Sequence, residues 1–122
     1  MNSRVFVVDD EPMVASTTAA VLQLNGYEVR SFVNSLEALD AARAVKPDLV
    51  IADVVMPGLS GIDLAIQLKE LCPTCKVLLL SGQAQTADLL ETARQQGHDF
   101  EVLAKPIHPT DLLARIKDAA AA

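Results

Sequence analysis

The sequence predicts an α/β protein: a single doubly wound domain in which a five-stranded parallel sheet is covered by helices on both faces. Two observations indicate this fold. Short apolar runs alternate five times with segments of helical spacing, and no linker, low-complexity insert or second domain divides residues 1–122. Strands that alternate with helices of this length form right-handed βαβ units around a parallel sheet.

The five apolar runs are the predicted strands. The first, third and fourth are continuous, as expected for strands buried on both faces of a parallel sheet. The second, EVRSF, alternates polar with apolar residues and is therefore predicted to lie at an edge. The runs occupy residues 5–8, 28–32, 49–52, 77–80 and 100–103.

Helical spacing fills the gaps between the runs and the C-terminal segment. The first helix is expected to end at Asn25-Gly26, a common helix-stop pair, and to bury one stripe: Val14, Thr18, Val21 and Leu22.

The remaining helices have recognisable ends. Ser35 is the expected cap of the second helix, which runs towards residue 44. The third starts at residues 60–61 and stops before Pro73, and the fourth occupies about residues 86–97. The fifth carries Leu112, Leu113 and Ile116.

The composition limits what the protein can bind. Sixteen acidic and ten basic residues give a net charge of −6, which repels phosphate backbones and offers no counterion release. We therefore expect no direct binding of nucleic acid. The apolar stretches are too short to cross a bilayer, and no basic leader opens the sequence. We expect a cytoplasmic protein that does not enter the membrane.

The two cysteines, Cys72 and Cys75, form a C-x-x-C pair. Such a pair can be a redox centre or half of a metal site. Zinc would need further ligands, and the sequence has only two histidines, His98 and His108. A redox pair would open a helix after a strand, whereas this one follows a helical segment. We expect loop cysteines that stay reduced.

Reactive side chains follow four of the five predicted strands. The carboxyl ends of parallel strands meet at one edge of the sheet, where open α/β proteins bind ligands. Carboxylate oxygens suit Mg²⁺, which would neutralise their mutual repulsion, and a hydroxyl with an ammonium beside it could hold a phosphoryl group. In strand order, the residues are Asp9 and Asp10, Asp53, Ser81 and Gly82, and Lys105.

These motifs resemble the receiver domains of two-component response regulators, in the family's order and across essentially the whole chain. VVDDEP resembles the acidic pair after the first strand, and LVIADVVMPGLSGIDL resembles the phospho-acceptor segment. VLLLSG and VLAKPI resemble the hydroxyl and lysine-proline motifs. The resemblance implies a flavodoxin-like sheet of strand order 2-1-3-4-5.

The resemblance also implies a role for each acidic residue. Asp53 would be the phospho-acceptor, taking a phosphoryl group from a histidine kinase or a phosphotransfer protein. Mg²⁺ would be held by Asp10, Asp53 and the main-chain carbonyl of Val55, with Asp9 assisting through water. Glu11 is expected to be a solvated acid in a turn.

On the other strands, the resemblance implies phosphoryl binding. The Ser81 hydroxyl, the Gly82 amide and the Lys105 ammonium would contact the phosphoryl oxygens. The bond between Lys105 and Pro106 would be cis, which X–Pro linkages tolerate.

Two further features concern the phosphorylated state. Val55 and Gln83 follow Asp53 and Ser81 by two places, where the resemblance implies that they tune the lifetime of the acyl phosphate. Many receivers carry an aromatic ring three residues before the lysine, where this sequence has Val102. Phe100 lies on the same side of the strand, and we expect it to pack in the core rather than to act as an aromatic switch.

The leading functional prediction is a stand-alone phosphorylation switch that acts on an unknown downstream protein or passes the phosphate on. A homodimer that forms on phosphorylation is an open alternative. The sequence fits equally well a receiver cut from a larger regulator or a hybrid kinase.

Two other classes of protein are weaker interpretations. A Mg²⁺-dependent phosphohydrolase would need a cap segment over its substrate, for which this sequence leaves no residues. It would also need a second catalytic acid beside Asp53, where this chain has Val54 and Val55. A pseudo-receiver would lack Asp53, Ser81 or Lys105, and this chain has all three. We therefore expect a regulatory domain rather than an enzyme.

Overall fold

Five strands and five helices alternate in this computed structural model, which describes residues 3–82, 86–97, 100–105 and 107–121. The strands are β1 (Arg4–Val8), β2 (Glu28–Phe32), β3 (Leu49–Asp53), β4 (Lys76–Ser81) and β5 (Glu101–Ala104). The helices are α1 (Pro12–Leu24), α2 (Ser35–Ala44), α3 (Gly61–Leu71), α4 (Thr86–Gln95) and α5 (Pro109–Ala121). All pairings are parallel and the order is β2-β1-β3-β4-β5, which confirms the predicted fold and the edge position of β2.

Successive side chains of a strand point to opposite faces of the sheet, and the core divides accordingly. Val5 and Val7 of β1 join a cluster with Leu22 of α1 and Ile116 of α5. The alternate residues of the same strand join a second cluster with residues of α2 and α3 and Ala93 of α4. Each face of the sheet is thus covered by helices. Within the described residues, none of the helices has the length and hydropathy needed to cross a bilayer.

Three strands differ from their predicted bounds in a way that concerns function. β3 continues to Asp53 and β4 to Ser81, and β5 is displaced by one residue, so that Phe100 precedes it. The ladder extends because backbone amides beyond the apolar runs still find acceptors: the Val54 amide donates to the Leu80 carbonyl at 2.9 Å. Asp53 and Ser81 are therefore held by strand hydrogen bonds rather than by loops.

Helix α1 buries Leu22 of the predicted stripe but otherwise rests on smaller side chains. Ala15, Ala19 and Leu22 are buried, and the two alanines let the helix lie close to the sheet. The larger side chains that the apolar pattern assigned to the core are left on the flank of the helix. Three members of the predicted stripe are only half-buried: Val14, Thr18 and Val21.

The prediction that Ser35 caps α2 is wrong. Asn34 is the cap, and its Oδ1 accepts hydrogen bonds from the amides of Leu36 at 2.8 Å and Glu37 at 3.3 Å. Asn34 has the extended backbone that a cap requires, whereas Ser35 is the first helical residue. Ser35 is buried, and its Oγ lies 3.8 Å from the sulfur of Met56.

The cysteine pair lies in the turn between α3 and β4, as predicted. The Cys75 amide donates to the Cys72 carbonyl at 3.0 Å and closes the turn, and both thiols are free and buried. Burial, assisted by the neighbouring Cys72, raises the pKa of the Cys75 thiol from 9.0 to about 12. A thiol that resists ionisation is a poor nucleophile, and both cysteines belong to the buried core cluster that contains residues of α2 and α3.

The revised cap gives a direct test. Asn34→Ala is expected to lower the free energy of unfolding by about 1 kcal/mol, because two amides of the first turn of α2 lose their acceptor. Ser35→Ala is expected to cost less than about 0.5 kcal/mol, because its hydroxyl has only a weak sulfur partner. Urea unfolding of both variants with an unchanged m-value measures the difference, and equal losses would contradict the assignment of Asn34 as the cap.

Candidate functional site

The strand register brings the predicted acidic residues to one place. β1 and β3 pair with Val8 opposite Ala52, so the residues that follow them, Asp9 and Asp53, lie side by side. One carboxylate oxygen from each of Asp9, Asp10 and Asp53 lies within 4.8 Å of the others. The three acids predicted at separate strand ends form one cluster.

The same register places the lysine beside these acids. β4 pairs with β5 so that Ser81 lies opposite Ala104, and the amide of Lys105 donates to the Ser81 carbonyl at 2.8 Å. Its ammonium nitrogen is 3.0 Å from Asp53 Oδ2 and 3.1 Å from Asp9 Oδ2. Lys105 therefore bridges two of the three carboxylates directly.

The three carboxylates differ in their access to water. Asp9 is 2% exposed and is held by the Glu11 amide, which donates to its Oδ1 at 3.0 Å, as well as by Lys105. Asp53 is half-buried and Asp10 is exposed. An all-oxygen set that is open to solvent on one side fits Mg²⁺, which prefers hard ligands and retains several waters. Asp10 and Asp53 are the members that such an ion would reach first.

The ion pairs hold Lys105 in its charged form. Burial is the largest single influence on its pKa and lowers it, but the hydrogen bonds and charges of Asp53 and Asp9 together outweigh burial and raise the pKa above 10.5. The folded state therefore binds the proton more tightly than the unfolded state does. The resulting contribution to stability is complete below about pH 10.5 and is lost as the pH rises through the raised pKa.

The start of α3 fixes the backbone of Asp53. The Gly61 amide donates to the Val54 carbonyl at 2.9 Å, and Ser60 Oγ caps the helix by accepting from the Asp63 amide at 3.1 Å. A Cβ on Gly61 would lie 2.0 Å from the carbonyl oxygen of Asp53 and 3.0 Å from the Cα of Val54. Only glycine allows the helix to approach the end of β3 so closely.

The acids open into a cavity of about 430 Å³ at the carboxyl edge of the sheet. It is large enough for a phosphoryl group together with a hydrated cation. The lining residues are Asp10, Glu11, Asp53, Val55, Met56, Pro57, Gly82 and Lys105.

Of the remaining residues predicted for the site, Val55 and Gly82 line this cavity, and Ser81 directly precedes Gly82 at the end of β4. Ser81 is half-buried at the end of β4, and Gly82 is exposed. A Cβ on Gly82 would make an ordinary contact of 3.5 Å with the Cβ of Lys105. Val55 is 41% exposed, and its amide donates to Asp53 Oδ1 at 3.4 Å. The geometry thus gathers these positions without assigning their roles.

Phe100 and Val102 both pack against the core cluster on the α2–α3–α4 face, whereas Leu103 joins the opposite cluster. The expectation that the two share one side of the strand is confirmed. Gln83 and Pro106 fall outside the described residues, so a lifetime-tuning role and a cis bond stay predictions.

Two features of the site were missed by the sequence analysis. The lysine was expected to meet a phosphoryl group, and its direct bridge to Asp9 and Asp53 was not foreseen. A positive residue at the same edge as three acids was the available signal. Gly61 was noted only as part of a motif, because no sequence pattern reveals how closely a helix approaches a carbonyl.

Lys105 is expected to compete with a cation for the acidic cluster. Lys105→Met is expected to tighten Mg²⁺ binding by roughly tenfold, because a positive charge about 3 Å from two ligands is removed. Lys46→Met, at the opposite edge of the sheet, makes the same change in net charge and should leave the affinity unaltered. Calorimetric or NMR titration with MgCl₂ measures both, and a weaker affinity in Lys105→Met would contradict the competition.

Gly61→Ala is expected to weaken Mg²⁺ binding by about tenfold or more, because about 1 Å of backbone movement is needed to relieve the 2.0 Å contact with Asp53. Ser60→Ala is the matched control: it removes the helix cap at a cost of about 1 kcal/mol but leaves the carbonyl of Asp53 undisturbed. Titration with MgCl₂ well below both melting temperatures separates the two effects. Equal affinities in the two variants would show that the contact does not position the carboxylate.

Comparison with known proteins agrees with this geometry. The family model of the response regulator receiver domain matches residues 5–117. The transcriptional regulatory protein CreB of Escherichia coli is 36% identical over 113 residues, which cover 93% of this chain and 48% of CreB. The chain spans about half the length of the curated relatives it matches.

Solved structures agree as well. A response regulator receiver domain protein from Clostridium thermocellum is 31% identical, with a TM-score of 0.86 over 98% of this chain and 94% of that one. The BeF3-activated DrrB receiver domain is 27% identical, with a TM-score of 0.84 and complete coverage of both chains. With the acidic cluster, the bridging lysine and the 2-1-3-4-5 sheet in place, the chain belongs to the response regulator receiver domains of two-component signal transduction.

Proposed function

We propose that residues 1–122 act as one receiver domain in which Asp53 accepts a phosphoryl group and thereby shifts a partner-binding face. The observation that supports this assignment is the position of Asp53. One of its carboxylate oxygens lies within 4.8 Å of oxygens of two further acids, and the Lys105 ammonium is 3.0 Å from its Oδ2. A nucleophile that adjoins both an acidic cluster and an ammonium is suited to phosphoryl transfer.

The proposed donor is the phosphohistidine of a histidine kinase or a phosphotransfer protein. A carboxylate oxygen of Asp53 attacks the phosphorus, so that a P–O bond forms while the P–N bond breaks. The imidazole leaves and takes its proton from solvent. Lys105, already within hydrogen-bond distance of Asp53, turns its ammonium to the incoming oxygens, and the Ser81 hydroxyl and Gly82 amide donate to the others.

The metal assignment extends the same proposal. Mg²⁺, when bound, would neutralise the charge that builds up between the carboxylates and the phosphoryl oxygens. Asp10, Asp53 and the main-chain carbonyl of Val55 are the proposed direct ligands, and Asp9 would act through water. The burial of Asp9 and its ion pair with Lys105 support an indirect role for that residue.

Phosphorylation adds roughly −1.5 to −2 charges at Asp53. Movement of Ser81 towards the new oxygens would draw the segment after β4 and bias α4 and β5, with a coupling of about 1–3 kcal/mol. The shifted surface would bind a downstream protein or, as the alternative, a second copy of the chain. Val55 and Gln83 are proposed to tune the lifetime of the acyl phosphate, whereas Phe100 and Val102 are expected to pack against the core rather than to act as an aromatic switch.

Nucleic-acid binding and cellular location also belong to what is proposed here for residues 1–122. CreB is named as a transcriptional regulator and is about twice as long as the matched region, so the prediction that nucleic acid is not bound applies to residues 1–122 alone. A cytoplasmic location is part of the proposal, since two buried free cysteines suit a reducing compartment.

The decisive experiment is incubation with Mg²⁺ and acetyl phosphate. The mass is expected to rise by one phosphoryl group, and Asp53→Asn is expected to abolish the uptake because it removes the attacking carboxylate. Asp40→Asn, on the exposed side of α2, is the matched control and should behave as the parent chain. Ser81→Ala should still be phosphorylated but show smaller amide shifts in α4 and β5 with a beryllofluoride salt.

Intact-mass spectrometry and NMR read out these variants. Modification that survives in Asp53→Asn would contradict the assignment of the acceptor. Sustained turnover of p-nitrophenyl phosphate would instead assign the chain to the phosphohydrolases, and no uptake by the parent chain would make it a pseudo-receiver.

A further inference from the structure

A second cavity lies on the other side of Lys105, between α1 and the segment that joins β5 to α5. It has a volume of about 460 Å³, which is within the range of small-molecule sites. Its described lining residues are Glu11, Val14, Thr17, Thr18, Val21, Leu80, Lys105, Ile107, Pro109 and Leu112. We call this cavity the α1–α5 groove.

The groove exists because of how α1 packs. The helix lies on the sheet through Ala15, Ala19 and Leu22, and the flank that carries Val14, Thr18 and Val21 is only half-buried. These residues, spaced four and three apart, form one apolar wall. Leu80, Ile107 and Leu112 form the facing wall.

The described lining of the groove contains two charged residues, Glu11 and Lys105. Helix α1 carries no charged residue among its 13 positions, and the Lys105 ammonium is turned away to Asp9 and Asp53. Only the alkyl part of Lys105 is left for the groove. Within the described chain, the exposed Glu11 carboxylate makes no side-chain hydrogen bond or ion pair. The groove is therefore an apolar slot with one negative charge at the end nearest the acidic cluster.

We propose that the α1–α5 groove binds a small molecule with an apolar body and a single cationic nitrogen, the chemistry of an aliphatic amine. The apolar body fits between the walls formed by α1 and α5. The ammonium lies against Glu11, at the end of the groove nearest the acidic cluster. A carboxylate ligand of the same length is disfavoured by Glu11 and by the net charge of −6.

Three probes of equal length test the charge preference: hexylammonium, hexanol and hexanoate, each titrated into the ¹⁵N-labelled, metal-free chain. Hexylammonium is expected to give saturable amide shifts at Thr17, Thr18 and Ile107, with affinity about three- to fivefold tighter than hexanol. Hexanoate should bind most weakly. The titration needs no phosphorylation, so its result is independent of the function proposed for Asp53.

Two substitutions on one helix locate the site. Thr18→Leu fills the groove and should abolish the saturable shifts. Ala20→Leu adds a side chain of the same kind at an exposed position of α1 outside the lining, and should leave them unchanged. Glu11→Gln should lower the affinity for hexylammonium about three- to fivefold while leaving that for hexanol unaltered.

The proposal is overturned if no probe gives saturable shifts, if Thr18→Leu and Ala20→Leu behave alike, or if hexanoate binds as tightly as hexylammonium. It is also overturned if the same amides shift with protein concentration alone and sedimentation shows a dimer, since a second copy of the chain would then occupy the groove.

Discussion

Three carboxylates at one edge of the sheet repel one another, and the rest of the site is arranged around that repulsion. At about 4 Å and an effective dielectric of about 20, each pair of like charges opposes folding by about 4 kcal/mol. The structure offsets part of this cost with Lys105, whose ammonium lies within 3.1 Å of Asp9 and 3.0 Å of Asp53. Asp10 remains exposed to solvent. The cluster is thus neutralised incompletely, and the uncompensated charge is what a divalent cation would satisfy.

The fold supplies this arrangement through register alone. In a parallel sheet every strand ends at the same edge, so Asp9, Asp53 and Lys105 meet although 96 residues separate the first from the last. Two further constraints make the edge rigid. The residues of β3 and β4 stay hydrogen-bonded up to Asp53 and Ser81, and α3 closes onto the end of β3 where Gly61 permits it. The position of Asp53 is therefore fixed by backbone hydrogen bonds and by the close approach of α3, which is possible because Gly61 has no side chain.

The alternation of apolar runs with helical spacing was sufficient to predict the elements, because strand and helix periods differ and each segment kept one of them. The residues of the site were also predictable. The carboxyl ends of all strands in a parallel sheet lie at the same edge, whatever the order of the strands. The details that failed depend on distance and shape. Asn34 and Ser35 are both acceptable caps, and only the backbone conformation chooses between them. The buried face of α1 was misjudged because small alanines, rather than larger apolar residues, set how near the helix lies to the sheet.

Lys105 stands between the two cavities, and this position gives the packing of α1 a consequence for the acidic site. Its ammonium forms ion pairs with two of the carboxylates, while its alkyl part forms part of the wall of the α1–α5 groove. A ligand in the groove that stabilises the observed position of the Lys105 side chain would oppose the displacement of its ammonium by a cation. The reverse must hold to the same degree, since two sites coupled through one element affect each other equally. A groove left by small residues on α1 is in this way connected to the electrostatics of Asp53 through Lys105, which lines both cavities together with Glu11.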